Sequence, residues 1–189
     1  MNSVMYSISM HRLLAPEKAK ELREKANAIL ADYSQISDPL ERMLSIAKDH
    51  GITILQSDLY EMSGALRKEG VKWVIYVNKN DSKQRQLFTI AHELGHFFAH
   101  KDMCDEFVDG QLVSRAEQEK YAIQELEANE FAGNLVMPEH KIREALHHGQ
   151  LTEQKVLELA RQFQVSSLAM ATRLRNLDYD VPGFNSKTA

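Results

Sequence analysis

The sequence predicts an α+β fold, mostly helical, with a small β-sheet of about three strands. Three observations carry that expectation. Apolar residues recur at helical spacing on both sides of the chain's middle, β-type runs are confined to residues 52–77, and the composition is that of a globular protein. The 189 residues are 43% hydrophobic and 26% charged, with few glycines and prolines, so a packed core rather than disorder is the starting point.

The elements follow in order. From Pro16 to about Ala31, Ala19, Leu22, Ala26, Ile29 and Leu30 fall on one stripe, with Glu17, Lys18, Glu21, Arg23 and Glu24 elsewhere. Ser37-Asp38-Pro39 starts a second helix, whose apolar face is expected at Leu40, Met43, Leu44 and Ala47, and Gly51 ends it. Ile52-Thr53-Ile54-Leu55 reads as a strand. Val71 to Val77 is the strongest strand signal in the chain, bounded by Gly70 and by Asn78 to Asp81. Ala65-Leu66, before the turn at Arg67 to Gly70, offers a third strand. A helix follows from Ser82, its buried face marked by Leu87, Ile90, Ala91, Leu94 and Phe98. Lys101 to Arg115 reads as acidic and irregular. A long helix is expected from Ala116 to Val136, stopped by Met137-Pro138. Three short helices complete the chain: Glu139 to about His147, Thr152 to Phe163 and Ser166 to Leu177, with His148-Gly149-Gln150 the one candidate boundary.

A formal net charge of −4 argues against a broad electrostatic nucleic-acid footprint. The single cysteine, Cys104, rules out an intrachain disulfide and any Cys-x-x-Cys metal pair, and fits a reducing compartment. Met1 to Leu14 lacks the continuous apolar core of a signal peptide, and no segment approaches the roughly 20 apolar residues of a membrane span. A cytoplasmic location is expected.

The helix from Ser82 carries His92-Glu93-Leu94-Gly95-His96. Residues four apart on a helix differ by about 40° in direction and about 6 Å in rise, so both imidazoles point the same way and can meet one Zn²⁺. Glu93, beside His92, is placed as general base toward a water whose pKa the metal lowers. Gly95 leaves room for a close approach by another backbone or by substrate. The flanking Ile90-Ala91, Leu94 and Phe97-Phe98 put the histidines near a core, where polar groups need partners.

Two histidines leave zinc one protein ligand short of a catalytic set. His100 lies about 12 Å along the axis from His92, too far for the same ion, and reads as a helix-end residue or a support for a ligand. A carboxylate on the long helix is the better third ligand. Glu117, Glu119, Glu125, Glu127 and Glu130 are available there. Glu125 sits at the edge of the stripe formed by Ala128, Phe131, Ala132 and Leu135, and Asn129 one turn on is placed to hydrogen-bond a ligand histidine. Glu127 is its rival.

Phe88 to His96, followed by Glu125-Leu126-Glu127-Ala128-Asn129-Glu130-Phe131-Ala132 and by Leu135-Val136-Met137-Pro138, resembles the ImmA/IrrE family of metallopeptidases over about residues 50–180. Gly133 and Val136 depart from the usual family residues without touching the candidate ligands. The resemblance implies a zincin-like, gluzincin-type fold and peptide-bond hydrolysis. It puts His92, His96 and Glu125 on Zn²⁺ and Glu93 as the catalytic group; Mn²⁺ or Fe²⁺ are alternatives, because availability as well as affinity decides which metal fills such a site. It further implies a specific regulatory protein as substrate, a helix-turn-helix transcriptional repressor.

On this reading residues 1–148 form the metallopeptidase domain with its N-terminal helices. Residues 149–189 form a helical segment resembling a helix-turn-helix pair, capped by Ser166 or Ser167. Arg161, Arg173 and Arg175 are offset by Glu153, Glu158, Asp178 and Asp180, so plain packing or a protein partner is favoured there over DNA. The alternative function is a DNA-binding or metal-sensing regulator that keeps the metal for structure. Trp73 and Tyr76 are expected on the sheet face. Tyr60, Tyr121, His100 and His140 are open candidates for assisting an oxyanion, and Arg85 for anchoring an acidic group.

Overall fold

The computed structural model describes residues 14–108, 115–146 and 150–184. The candidate boundary at His148-Gly149, the segment 1–13 and the side chains of Glu117 and Glu119 lie outside the described residues. Seven helices and a four-stranded sheet make up what is described: α1 (Pro16–Asp32), α2 (Pro39–Asp49), β1 (Ile52–Ser57), β2 (Gly64–Glu69), β3 (Lys72–Asn78), α3 (Lys83–His100), β4 (Glu106–Val108), α4 (Arg115–Val136), α5 (Glu139–Leu146), α6 (Glu153–Gln162) and α7 (Ser167–Asn176). The α+β class is thus as expected.

Local chemistry sets the helix starts. Asp38 Oδ1 accepts from Glu41 N at 2.8 Å, Ser82 Oγ from Arg85 N at 3.2 Å, Thr152 Oγ1 from Lys155 N at 3.2 Å and Ser166 Oγ from Ala169 N at 3.1 Å. Each side chain satisfies one of the amides that a helix start leaves without an internal partner. On α2 the buried face is Met43, Ile46 and Ala47, whereas Leu44, expected there, is 43% exposed. The i, i+3, i+4 series through Pro39 and Met43 reaches Ile46 and Ala47, and Leu44 lies off that line.

The sheet order is β1-β3-β2-β4, with β1 parallel to β3 and β2 antiparallel to both its neighbours. The fourth strand corrects the expectation of an irregular stretch after Lys101. β4 spans three residues, too short for a period-2 pattern to register. Cross-strand charge pairs support it: Arg67 of β2 bonds Glu106, and Lys68 Nζ lies 3.0 Å from Asp105 Oδ1.

One cluster of buried side chains runs from Leu22 and Ala26 of α1 through Leu66 and Ile75 of the sheet and Leu94 of α3 to Phe131 and Leu135 of α4. It continues without a break into Val156, Leu159, Met170 and Leu174 of α6 and α7. The sheet lies against α3, which makes its most extensive contact with α4. Gln86 anchors the first turn of α3 by donating from Nε2 to the carbonyls of Asn78, Lys79 and Asp81, so the helix leaves β3 at a fixed angle. No helix among the described residues is long and apolar enough to cross a membrane.

Candidate metal centre

His92 and His96 sit on the buried face of α3, 6% and 1% exposed, opposite Glu125 of α4. Their Nε2 atoms are 3.0 Å apart, and Glu125 Oε2 and Oε1 lie 3.3 Å from His92 Nε2 and 3.0 Å from His96 Nε2. The three residues each offer one donor atom within 4.8 Å of the others, a set able to hold a metal ion. Four donors placed tetrahedrally at 2.0–2.1 Å from an ion stand about 3.3 Å apart, so the observed spacings fit that size.

The partners behind the imidazoles decide their tautomers. Asn129 Oδ1, an acceptor, lies 3.1 Å from His92 Nδ1, which therefore carries the hydrogen and leaves Nε2 with its lone pair. His96 is held by a longer chain. Glu127 Oε2 accepts from His100 Nε2 at 2.8 Å, so neutral His100 has its lone pair on Nδ1. That atom lies 3.2 Å from His96 Nδ1, which must donate to it, again freeing Nε2. Two imidazole lone pairs and a carboxylate then converge on one point.

Electrostatics agree with that assignment. Burial lowers the His96 pKa to about 4, against the smaller opposing pull of Glu125, and burial also lowers that of His100 against the pull of Glu127. Both are neutral near pH 7. Burial works against the charge of Glu125, but the imidazoles of His92 and His96 beside it outweigh that and hold the carboxyl well below the usual range.

Glu93, one residue from His92, is 1% exposed. A Cβ added to Gly64 of β2 would overlap Thr89 Cγ2 and lie 2.9 Å from Glu93 Oε1, so the bare glycine is what lets β2 pass this carboxylate. Gly95 likewise admits α4: a Cβ there would lie 2.8 Å from the Ala128 carbonyl oxygen. The neighbour at Gly95 is another backbone.

Glu125 is thus the carboxylate beside the histidines, while its rival Glu127 supports His100. No motif or spacing in the sequence points to Phe107 of β4. It stacks on His96 with ring centroids 4.7 Å apart and planes 17° from parallel, and the aromatic residue amid Asp105, Glu106 and Asp109 was the only sequence signal for it. Tyr60 is 90% exposed and His140 is exposed, Tyr121 is partly buried on α4, and Cys104 is exposed. Trp73 meets Phe97 edge-on at 5.9 Å, and Tyr76 Oη bonds Glu69 Oε1 at 2.5 Å.

The sequence profile of peptidase family M78, the IrrE N-terminal-like domain, matches residues 47–175, a span that includes α3, α4 and every donor above. The chain belongs to this family of metallopeptidases. Among curated relatives of the family, the metallopeptidase ImmA of Bacillus subtilis is 28% identical over 155 residues, which cover 72% of this chain and 83% of that one. The radiation response metalloprotease IrrE of Deinococcus radiodurans is 33% identical over 96 residues, half of this chain and 28% of that one. Among solved structures, a Mycobacterium tuberculosis transcriptional regulator aligns with a TM-score of 0.65 at 18% identity. The match covers 92% of this chain but only 52% of that one. Its likeness is one of fold.

Proposed function

We propose that the chain is a zinc-dependent endopeptidase with a zincin-like, gluzincin-type centre, acting in the cytoplasm on a specific regulatory protein, a helix-turn-helix repressor. The observation that carries this reading is the convergence of His92, His96 and Glu125 on one point, with Glu93 next to His92 in the helix. The donor set, two neutral imidazoles and one carboxylate, suits zinc, and Mn²⁺ or Fe²⁺ would find the same donors acceptable. Once bound, the ion supplies a Lewis acid that polarises the scissile carbonyl and lowers the pKa of water.

The remaining steps belong to the chain's own residues. Asn129 and the His100–Glu127 pair hold the two imidazoles with Nε2 forward. Glu93 takes the proton of the attacking water as its oxygen joins the carbonyl carbon. It then delivers that proton to the departing amide nitrogen, so water is added across the C–N bond. Burial of Glu93 and of both histidines keeps bulk solvent from competing for those positions.

The proposed substrate class rests on the family resemblance and on what the relatives are called. One is named for a radiation response, and the structural neighbour is named a transcriptional regulator. A DNA-reading role for the C-terminal helices is less well supported. Arg173, one of their three arginines, is buried and bonded to Glu130, Asn134 and Met137 O, so it is unavailable to phosphate.

Elemental analysis tests the reading first. About one zinc per chain is expected in the purified protein and none in His92→Ala or Glu125→Ala. Glu93→Gln should keep the metal and lose cleavage. Retained cleavage in Glu93→Gln would exclude this mechanism.

A further inference from the structure

On α7, Leu168, Ala169, Thr172 and Asn176 follow the i, i+3, i+4 spacing of a single face. In a DNA-reading helix that face must be free to enter a groove. Here it walls a cleft of about 630 Å³. The floor is α4, from Glu125 past Asn129 to Gly133, with Met137 just beyond its end, and the opposite wall is the start of α3 at Arg85 and Phe88. One candidate metal ligand therefore opens into the same space as the C-terminal helix.

The chemistry of the walls narrows the occupant. Apart from Arg173 the α7 lining is uncharged, and Leu168 is an apolar side chain 46% exposed within it. Of the two arginines lining the cleft, Arg173 is spent on Glu130. Arg85 is exposed and donates from Nε to Ser63 Oγ at 2.9 Å, and among the described residues no carboxylate pairs with it. Arg85 also shares a stripe of α3 with His92, seven residues and about 10.5 Å away along the axis. An extended peptide rises about 3.3 Å per residue, so that distance spans about three residues of substrate.

We infer that this cleft holds the substrate polypeptide on one side of the scissile bond. Leu168 and Phe88 receive a large apolar side chain, and Arg85 receives an acidic one about three residues from the cut. The inference rests on the peptidase reading and deepens it: the segment that resembles a DNA-binding pair is a specificity element of the active site. A nucleic acid is a poor occupant, because the one α7 cation in the lining, Arg173, is paired with Glu130, and Glu125 adds a negative charge.

The test separates binding from cleavage. The zinc-loaded full chain carrying Glu93→Gln is titrated with fluorescein-labelled twelve-residue peptides that have Leu-Leu at the centre and either Asp or Lys at the third position on each side. The Asp peptide should bind about fivefold more tightly, near the upper range for one exposed ion pair. Adding Arg85→Glu should reverse the order, and adding Leu168→Glu should weaken both peptides. An order unchanged by Arg85→Glu, undiminished binding in Leu168→Glu, or absence of binding to either peptide overturns the inference. Offering the same peptides to the wild type tells the two readings apart. Charge-dependent binding, with no cleavage of any peptide and no zinc in the purified wild type, leaves the cleft as a peptide-binding site and rejects the peptidase reaction.

Discussion

Gly95 of α3 and Ala128 of α4 bring their helices into backbone contact, since a Cβ on Gly95 would stand 2.8 Å from the Ala128 carbonyl oxygen and 3.0 Å from its Cα. This crossing sets how far Glu125 stands from the two histidines. Gly95→Ala gains up to about 1 kcal/mol of helix propensity. It must also push a backbone aside, at a cost of about 1–3 kcal/mol. The expected result is a net loss of stability in denaturant unfolding of the metal-free protein, together with zinc affinity at least about tenfold weaker. Unchanged affinity would mean that the helices separate without disturbing the donors.

His100 and Glu127 form the support behind His96. Glu127→Gln keeps the shape but replaces the carboxylate acceptor, and His100→Ala removes the link altogether. Zinc affinity measured by chelator competition should fall about 10- to 100-fold in each. The metal-free fold should be nearly unaffected in Glu127→Gln, which distinguishes loss of orientation from loss of structure.

The buried pair of Arg173 and Glu130, side chains 3% and 5% exposed, joins α7 to α4. Glu130→Leu alone strands a buried guanidinium and should cost about 3–5 kcal/mol. The double replacement Glu130→Leu with Arg173→Met should recover most of that, because no charge is then left unpaired. Denaturant midpoints of the three variants check the expectation.

Glu139 of α5 bridges Arg143, at 2.6 Å, and Arg23 of α1, at 2.5 Å. Burial works against its charge, but Arg143 and Arg23 prevail and lower its pKa below 4.5. A carboxyl with a lowered folded-state pKa adds stability above its unfolded pKa and loses it as pH falls through the folded value. Wild type should therefore lose stability below about pH 4.5 that Glu139→Gln does not lose. The difference should be under about 1 kcal/mol for this partly exposed group. Parallel urea titrations at pH 7 and pH 3 measure it.

Much of the centre is local and for that reason was legible. His92, Glu93 and His96 are fixed relative to one another by helix geometry alone, and Asn129 stands one turn beyond Glu125 on the same helix. The choice between Glu125 and Glu127 is different. Both lie on α4 two residues apart, and which one faces the imidazoles depends on the rotation of α4 about its axis. That rotation is set by contacts such as Gly95–Ala128 and by the stacking of Phe98 on Phe131 at 5.6 Å. The fourth strand is not legible in the sequence because its identity lies in its pairing with β2, and Phe107 meets His96 only once that pairing has formed.

By itself, then, the sequence determined the helices, their caps and the histidine pair, because a helix places residues three and four apart on one face whatever surrounds it. Tertiary structure alone decided that Glu127 would meet His100, that Phe107 would stack on His96, and that the face of α7 would turn toward Glu125. Those relationships join residues distant in the chain. They exist only when several elements have packed into one core, and no spacing within a single element encodes them.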